Sequence, residues 1–147
     1  MALLRTVDAP ARSWRSVAVL TACVVVAAAP YLAGVLIPYY VNGLDALPLA
    51  EVASGAHDPK DLWPQGTVGG LAQLGGYLSL ALTPIALLAV GGTSAAAVVQ
   101  EWHTLPAARR APRPVAAAFV VLFLVCVILL AWFFTPTASA LSTWRMD

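Results

Sequence analysis

The densest group of side chains able to do chemistry lies at residues 55–66, GAHDPKDLWPQG. His57, Asp58 and Asp61 supply an imidazole and two carboxylates, which are common ligands of divalent metal ions. Their spacing matches no established metal motif, whereas Asp58 followed by Pro59, with an acid three positions after the aspartate, is typical of a capped helical turn. We therefore predict no bound metal, and name His57, Asp58 and Asp61 as the candidate ligands if one binds.

A second pair of ionisable side chains, Glu101 and His103, could act as acid and base. Side chains two positions apart diverge on a helix, so we interpret this pair as solvated residues at a helix end. Cys23 and Cys126 lie in separate apolar segments, and two cysteines cannot complete a four-ligand zinc site. The sequence thus predicts no catalytic residue and no cofactor.

The composition indicates a membrane protein. Of 147 residues, 61% are hydrophobic and 10% are charged, whereas a soluble domain carries about 25% charged residues. A core of this size cannot bury that excess, so it must face lipid. The net charge of +1 argues against a nucleic-acid partner.

Three apolar segments are long enough to cross a bilayer, which takes about 20 helical residues. They cover 16–38, 67–99 (with a core of about 75–98) and 114–135, and none contains a charged residue. We predict an all-α integral membrane protein with three transmembrane helices and a partly ordered loop between the first two.

The distribution of lysine and arginine predicts the orientation, because cytoplasmic segments are enriched in both. Six of the eight basic residues lie in the segments around the first and third helix starts, and the other two are Lys60 and Arg145. This places the N-terminus inside and the C-terminus outside. The predicted segments are a cytoplasmic tail at 1–15, an extracytoplasmic loop with short interfacial helices at 39–66, a cytoplasmic loop at 100–113 and an extracytoplasmic tail at 136–147.

Aromatic side chains at both predicted boundaries agree with this orientation, because Trp and Tyr prefer the headgroup region. The predicted interface anchors are Trp14 and Trp102 on the inner side and Tyr39, Tyr40, Trp63 and Trp132 on the outer side.

Small residues mark the second helix as the packing helix. Gly75, Ser79 and Thr83 recur every four positions, Gly76 lies beside them, and Gly92 extends the small face inward. In lipid, small residues allow two helices to approach closely. The third helix has no polar face, so we expect it to face lipid or to pack by shape alone.

Pro30 and Pro84 lie at similar depths in the first and second helices. Each proline removes a backbone hydrogen bond and favours a kink. Two kinks at one depth could widen a cleft between these helices, with Thr83 beside it, but we favour the interpretation of two tolerated prolines. Tight packing around residues 30 and 84 would exclude the cleft.

The outer loop contains a second predicted short helix at 48–55, PLAEVASG. Leu44, Leu47, Leu49 and Val52 give it an apolar side that could lie on the membrane or dock on a partner. We therefore predict that this loop is a recognition surface.

No Asp, Glu, Lys, Arg or His falls inside a predicted span, which disfavours proton relays and ion-coupled transport. The leading hypothesis is a non-catalytic accessory or assembly subunit that contacts the bilayer and other membrane-protein subunits. The alternatives are a homo-oligomeric channel or small-solute carrier, and a metal-dependent membrane factor using the outer loop. A composition rich in alanine and arginine favours a bacterial plasma membrane.

Overall fold

Residues 13–103 and 113–146 are described here in a computed structural model. Within these ranges every regular element is helical, and three helices are long and apolar enough to cross a membrane. The predicted all-helical class with three such helices is confirmed; the predicted cytoplasmic segments 1–15 and 100–113 lie largely outside the described residues. The elements are α1 (Trp14–Tyr31), a π-helical turn (Leu32–Leu36), α2 (Ile37–Val41), a 3-10 turn (Leu44–Ala46), α3 (Leu49–Val52), α4 (Gly66–His103), α5 (Arg113–Trp132) and α6 (Pro136–Met146).

The first long helix is continuous from α1 through the π-helical turn to α2. Pro30 lies in the last turn of α1 and has no N–H to donate. One turn later the Ile37 N–H reaches back five residues to the Leu32 carbonyl. This wider turn directly follows the proline, and it contains Gly34, which faces α4.

The long helix α4 is the centre of the bundle, because it packs along both α1 and α5 while α1 and α5 touch each other much less. On α5 the buried residues are Val115, Phe119, Leu122 and Cys126. Their spacing of four, three and four positions forms one narrow stripe. The third spanning helix therefore packs by the shape of apolar side chains, one of its two expected arrangements.

Close contact between α1 and α4 depends on glycine. A Cβ atom at Gly76 would lie 2.7 Å from the Gly34 carbonyl oxygen, and a Cβ atom at Gly75 would lie 3.6 Å from Pro30 Cβ. Ser79 and Thr83 are buried on the same helix. The structure thus places four of the predicted packing residues of α4 in or beside its contact with α1.

Gly92 takes no part in the packing within this chain, so its predicted packing role stays a prediction. A Cβ atom at Gly92 would meet nothing within 4 Å, whereas a Cβ atom at Gly91 would lie 3.2 Å from Cys126 Cβ. Successive helical residues point about 100° apart, so only one of two adjacent glycines can face a given neighbour. Gly91 faces α5, and Gly92 faces away from the bundle.

Pro30 and Pro84 open no cleft between the first and second spanning helices in the described residues. The Thr83 hydroxyl donates a hydrogen bond of 2.7 Å to the Ala27 carbonyl oxygen, one turn before Pro30. The helix α4 remains α-helical across Pro84. The hydrogen bond and the glycine contacts hold α1 against α4 at the depth of the two prolines.

The segment 136–147, predicted only as a tail, contains the helix α6. The Thr135 hydroxyl accepts a hydrogen bond of 3.2 Å from the Ala138 N–H, and Pro136 occupies the first helical position, where its missing N–H is not needed. Pro136 therefore begins a helix as well as following the end of α5.

Candidate functional site

The loop after α2 and the helix α6 fold together over one end of the bundle, and we call this unit the cap (residues 42–65 and 136–146). Its core is apolar and includes the end of the first long helix. The fully or almost fully buried members are Tyr31, Val35, Tyr39, Leu44, Val52, Leu141 and Trp144.

Hydrogen bonds fix the loop in the cap. The Trp144 indole N–H donates to the His57 carbonyl oxygen over 2.8 Å. The Asn42 side chain donates to the Trp63 carbonyl oxygen over 3.0 Å and accepts from the Trp63 N–H over 3.1 Å. The Gln73 amide donates to the Pro59 carbonyl oxygen over 3.2 Å. The loop is therefore joined to α2, to α4 and to α6.

The apolar side of the loop, predicted as a recognition surface, is mostly covered by the chain itself. Leu44 and Val52 are buried in the cap core with Leu141 and Trp144. The helix α3 lies at the predicted position, but its apolar side packs on α6. Because α6 was not predicted, the sequence offered no internal partner for these residues.

The candidate metal ligands are engaged separately. His57 Nε2 lies 3.3 Å from Glu51 Oε1. The Asp58 carboxylate accepts a hydrogen bond of 2.9 Å from the Lys60 N–H, as expected for a capped turn. At Asp61 it is the backbone oxygen, not the carboxylate, that accepts a hydrogen bond from the Gln65 side chain. Within the described ranges, no group of three or more His, Cys, Asp or Glu side chains is placed to hold a metal.

The pair at the end of α4 is described only in part. His103 is exposed at the last position of the helix. The Glu101 side chain falls outside the described part of the chain, so the interpretation of this pair remains a prediction.

The predicted aromatic anchors divide into two groups. Trp14, Tyr40, Trp63 and Trp102 are exposed, so the bundle leaves them free to contact headgroups. Tyr39 is buried in the cap core, which contradicts its predicted place at the lipid interface. Trp132 is half-buried, and its indole N–H donates to the Tyr31 hydroxyl over 3.2 Å.

An apolar groove of about 540 Å³ lies between α1 and α5, with Thr83 and Leu87 of α4 at its back. Its polar groups are few and include the hydrogen-bonded Tyr31 hydroxyl. The cleft considered from the sequence lay between the first and second spanning helices, whereas this groove lies between the first and third. Its chemistry suits a lipid acyl chain or an apolar side chain of another helix.

Besides the helix α6, the sequence analysis missed the role of Arg145 in the cap, because it counted Arg145 only as a charge in the predicted C-terminal tail. It is buried on α6. The sequence signal was available, since Thr135-Pro136 is a helix start and Ala138, Leu141 and Arg145 share one helical face.

The described residues bring together packing surfaces, a lateral groove and a cap with a buried cation. Comparison of the chain with protein-family models, with curated proteins and with solved structures found no match.

Proposed function

We propose that this protein is a non-catalytic accessory or assembly subunit of a larger membrane complex. One side of α4 packs on α1 and α5, and the opposite side contacts a partner subunit. We call this opposite side the back face of α4; its exposed members are Gly70, Leu74, Leu78, Ala81, Ile85, Leu88, Gly92 and Ala96.

The main support for this proposal is what surrounds each glycine of α4. A Cβ atom at Gly69, Gly75, Gly76 or Gly91 would meet another part of the chain within 4 Å, whereas one at Gly70 or Gly92 would meet nothing. Glycine in a helix interior is less stable than alanine by roughly 0.5–1 kcal/mol. The bundle itself gives no packing reason for the two unoccupied glycines.

The two unoccupied glycines share a side of the helix. They are 22 positions apart in the sequence, which at about 100° per residue places them about 40° apart around the axis. Exposed apolar residues alone do not distinguish lipid from protein, because lipid tails are equally apolar. Small residues do favour protein, because their benefit in lipid is the close approach of another helix.

Leucine at position 92 is expected to displace the partner while leaving this chain folded. The added side chain points away from α1 and α5 and into the space assigned to the partner helix. Native mass spectrometry after extraction in a mild detergent should show a stoichiometric foreign subunit with the wild-type chain, and at least a tenfold loss of it with Gly92→Leu.

Ala117→Leu is the matched control, since Ala117 is exposed on α5 and lies away from the back face; it should keep the partner. A chain that is monomeric before mutation would refute the accessory-subunit proposal. A homo-oligomer that Gly92→Leu dissociates would instead support the channel or carrier alternative.

The proposed setting is a bacterial plasma membrane, with the N-terminus inside and the cap outside. Support comes from the basic residues of the sequence, six of which lie in the segments assigned to the cytoplasm. The exposed positions Ala50 on α3 and His103 at the end of α4 would then lie on opposite sides of the membrane.

A membrane-impermeant thiol reagent tests this orientation in intact cells. Ala50→Cys should react at once, and His103→Cys should react only after the membrane is opened. The wild-type chain, with Cys23 and Cys126 inside its spans, is the blank. Reaction of position 103 and protection of position 50 would reverse the orientation.

A further inference from the structure

Arg145 is a buried cation at the end of α6, with only 8% of its surface exposed. A Cβ atom at Gly76 would lie 3.1 Å from Arg145 Nε and 2.7 Å from the Gly34 carbonyl oxygen. The guanidinium group therefore lies beside the point where α1 and α4 come closest. The absence of a side chain at Gly76 makes room for it.

No anion in the described part of the chain neutralises this group. Neither residues 13–103 nor residues 113–146 place a carboxylate within 4.0 Å of it or accept a hydrogen bond from its side chain. The Trp144 ring lies 5.9 Å away and belongs to the neighbouring residue. Burial lowers the pKa of Arg145, because removal from water disfavours the charged form.

The position of Arg145 in the last turn of α6 explains why a positive charge is found there. It does not explain why that charge is buried. A cation at a helix C-terminus is stabilised by the helix dipole, and it gains this effect while still solvated. Buried guanidinium groups are normally paired with an anion, often through two parallel hydrogen bonds. The burial therefore indicates a missing partner.

The guanidinium group lines a cavity of about 230 Å³ between α4, α6 and the loop. The other polar residues around it are Asp58, Lys60, Gln73 and Tyr77. Lys60 Nζ lies 3.7 Å from Asp58 Oδ2; the Lys60 side chain is largely exposed and the Asp58 side chain is partly exposed. With two cations and one carboxylate, the lining keeps one net positive charge.

We propose that this cavity binds an anionic oxygen group, a phosphate or a carboxylate, through Arg145. The guanidinium fork donates two hydrogen bonds to the anion, Lys60 adds a second positive charge at the rim, and the Tyr77 hydroxyl can donate a third hydrogen bond. The anion comes either from an anionic lipid headgroup or from a free solute, and both present the same oxygen chemistry.

The ordinary alternative is an internal ion pair, in which the Asp58 carboxylate closes onto Arg145. The two accounts make opposite predictions for Asp58→Asn. If the cavity binds an external anion, removal of a competing carboxylate leaves the affinity equal or raises it. If Asp58 is the partner, Asp58→Asn destabilises the cap as Arg145→Gln does, and added anion does not bind.

The experiment uses the full chain, purified in a neutral detergent and placed in phosphatidylcholine nanodiscs with or without phosphatidylglycerol. Native mass spectrometry counts retained phosphatidylglycerol, and phosphorus NMR line broadening measures binding of inorganic phosphate. Retained phosphatidylglycerol identifies a lipid headgroup, whereas phosphate binding alone identifies a free solute.

Arg145→Gln is expected to weaken whichever probe binds by about tenfold or more, as for loss of hydrogen bonds to a charged group. Lys60→Gln, at an exposed position, should weaken it by about threefold. Arg113→Gln, exposed at the far end of α5, should have no effect.

Failure of both probes to bind, or equal binding by wild type and Arg145→Gln, would overturn the site. If Arg145→Gln does not fold, Lys60→Gln and Asp58→Asn decide instead. Unchanged binding in Lys60→Gln together with weaker binding in Asp58→Asn would then count against it.

Discussion

Alanine at position 34 is expected to lower the free energy of unfolding by about 3 kcal/mol or more, a large value for one added methyl group. The new Cβ atom would overlap the Ala72 carbonyl oxygen and would lie 2.6 Å from the backbone N and Cα of Gly76. Backbone atoms cannot rotate out of the way, so α1 and α4 must separate. Separation would also break the hydrogen bond between Thr83 and Ala27.

The matched control is Gly70→Ala, on the facing helix α4 but with nothing within 4 Å of its Cβ position. In the isolated chain it should raise the free energy of unfolding by about 0.5–1 kcal/mol, the usual difference between the two residues in a helix. The measurement is loss of helical circular dichroism during titration with sodium dodecyl sulfate. Equal stability of Gly34→Ala and Gly70→Ala would contradict the close α1–α4 contact.

Replacement of Trp144 by alanine is expected to release the cap at a cost of about 3–5 kcal/mol in its local stability. This side chain is fully buried in the cap core, and its indole N–H holds the His57 carbonyl oxygen. The loss should be local, because α4 and α5 pack through a separate apolar cluster around Leu87 and Cys126.

Hydrogen exchange resolved by peptide is the measurement for the cap. In Trp144→Ala, the amides of residues 44–62 should exchange faster, while those around Leu87 and Cys126 keep their protection. Trp144→Phe retains an aromatic ring and should lose only about 1–2 kcal/mol through the unpaired carbonyl. Trp102→Ala, at an exposed position, should change nothing in the cap. Unchanged exchange in Trp144→Ala would mean that α6 does not hold the loop.

The spanning helices could be predicted from the sequence, because a lipid environment requires long uncharged segments that satisfy their own backbone hydrogen bonds. Gly75 and Gly76 could also be assigned to the helix contact from their type alone. Whether Gly91 or Gly92 faces α5 could not be predicted. The two residues point about 100° apart around the helix, and which of them faces α5 depends on where α5 packs.

The cap shows where sequence patterns were insufficient. Pro136 follows the end of one helix and begins another, and the first role concealed the second. Without α6, Leu44 and Val52 had no internal partner, and Arg145 counted only as a solvated charge. The groove between α1 and α5 depends on the angles between helices, for which the apolar pattern carries no signal.

The central claim is that the back face of α4 contacts another subunit, and photo-crosslinking in the native membrane tests it most directly. A photoreactive amino acid is placed at Leu74, Ile85 or Leu88 on the back face and, for comparison, at Val121 or Leu124 on the exposed side of α5. We expect all three α4 positions to crosslink the same foreign polypeptide, and the two α5 positions to crosslink lipid. Crosslinks from α4 to lipid alone, or equal protein crosslinks from both helices, would contradict the account.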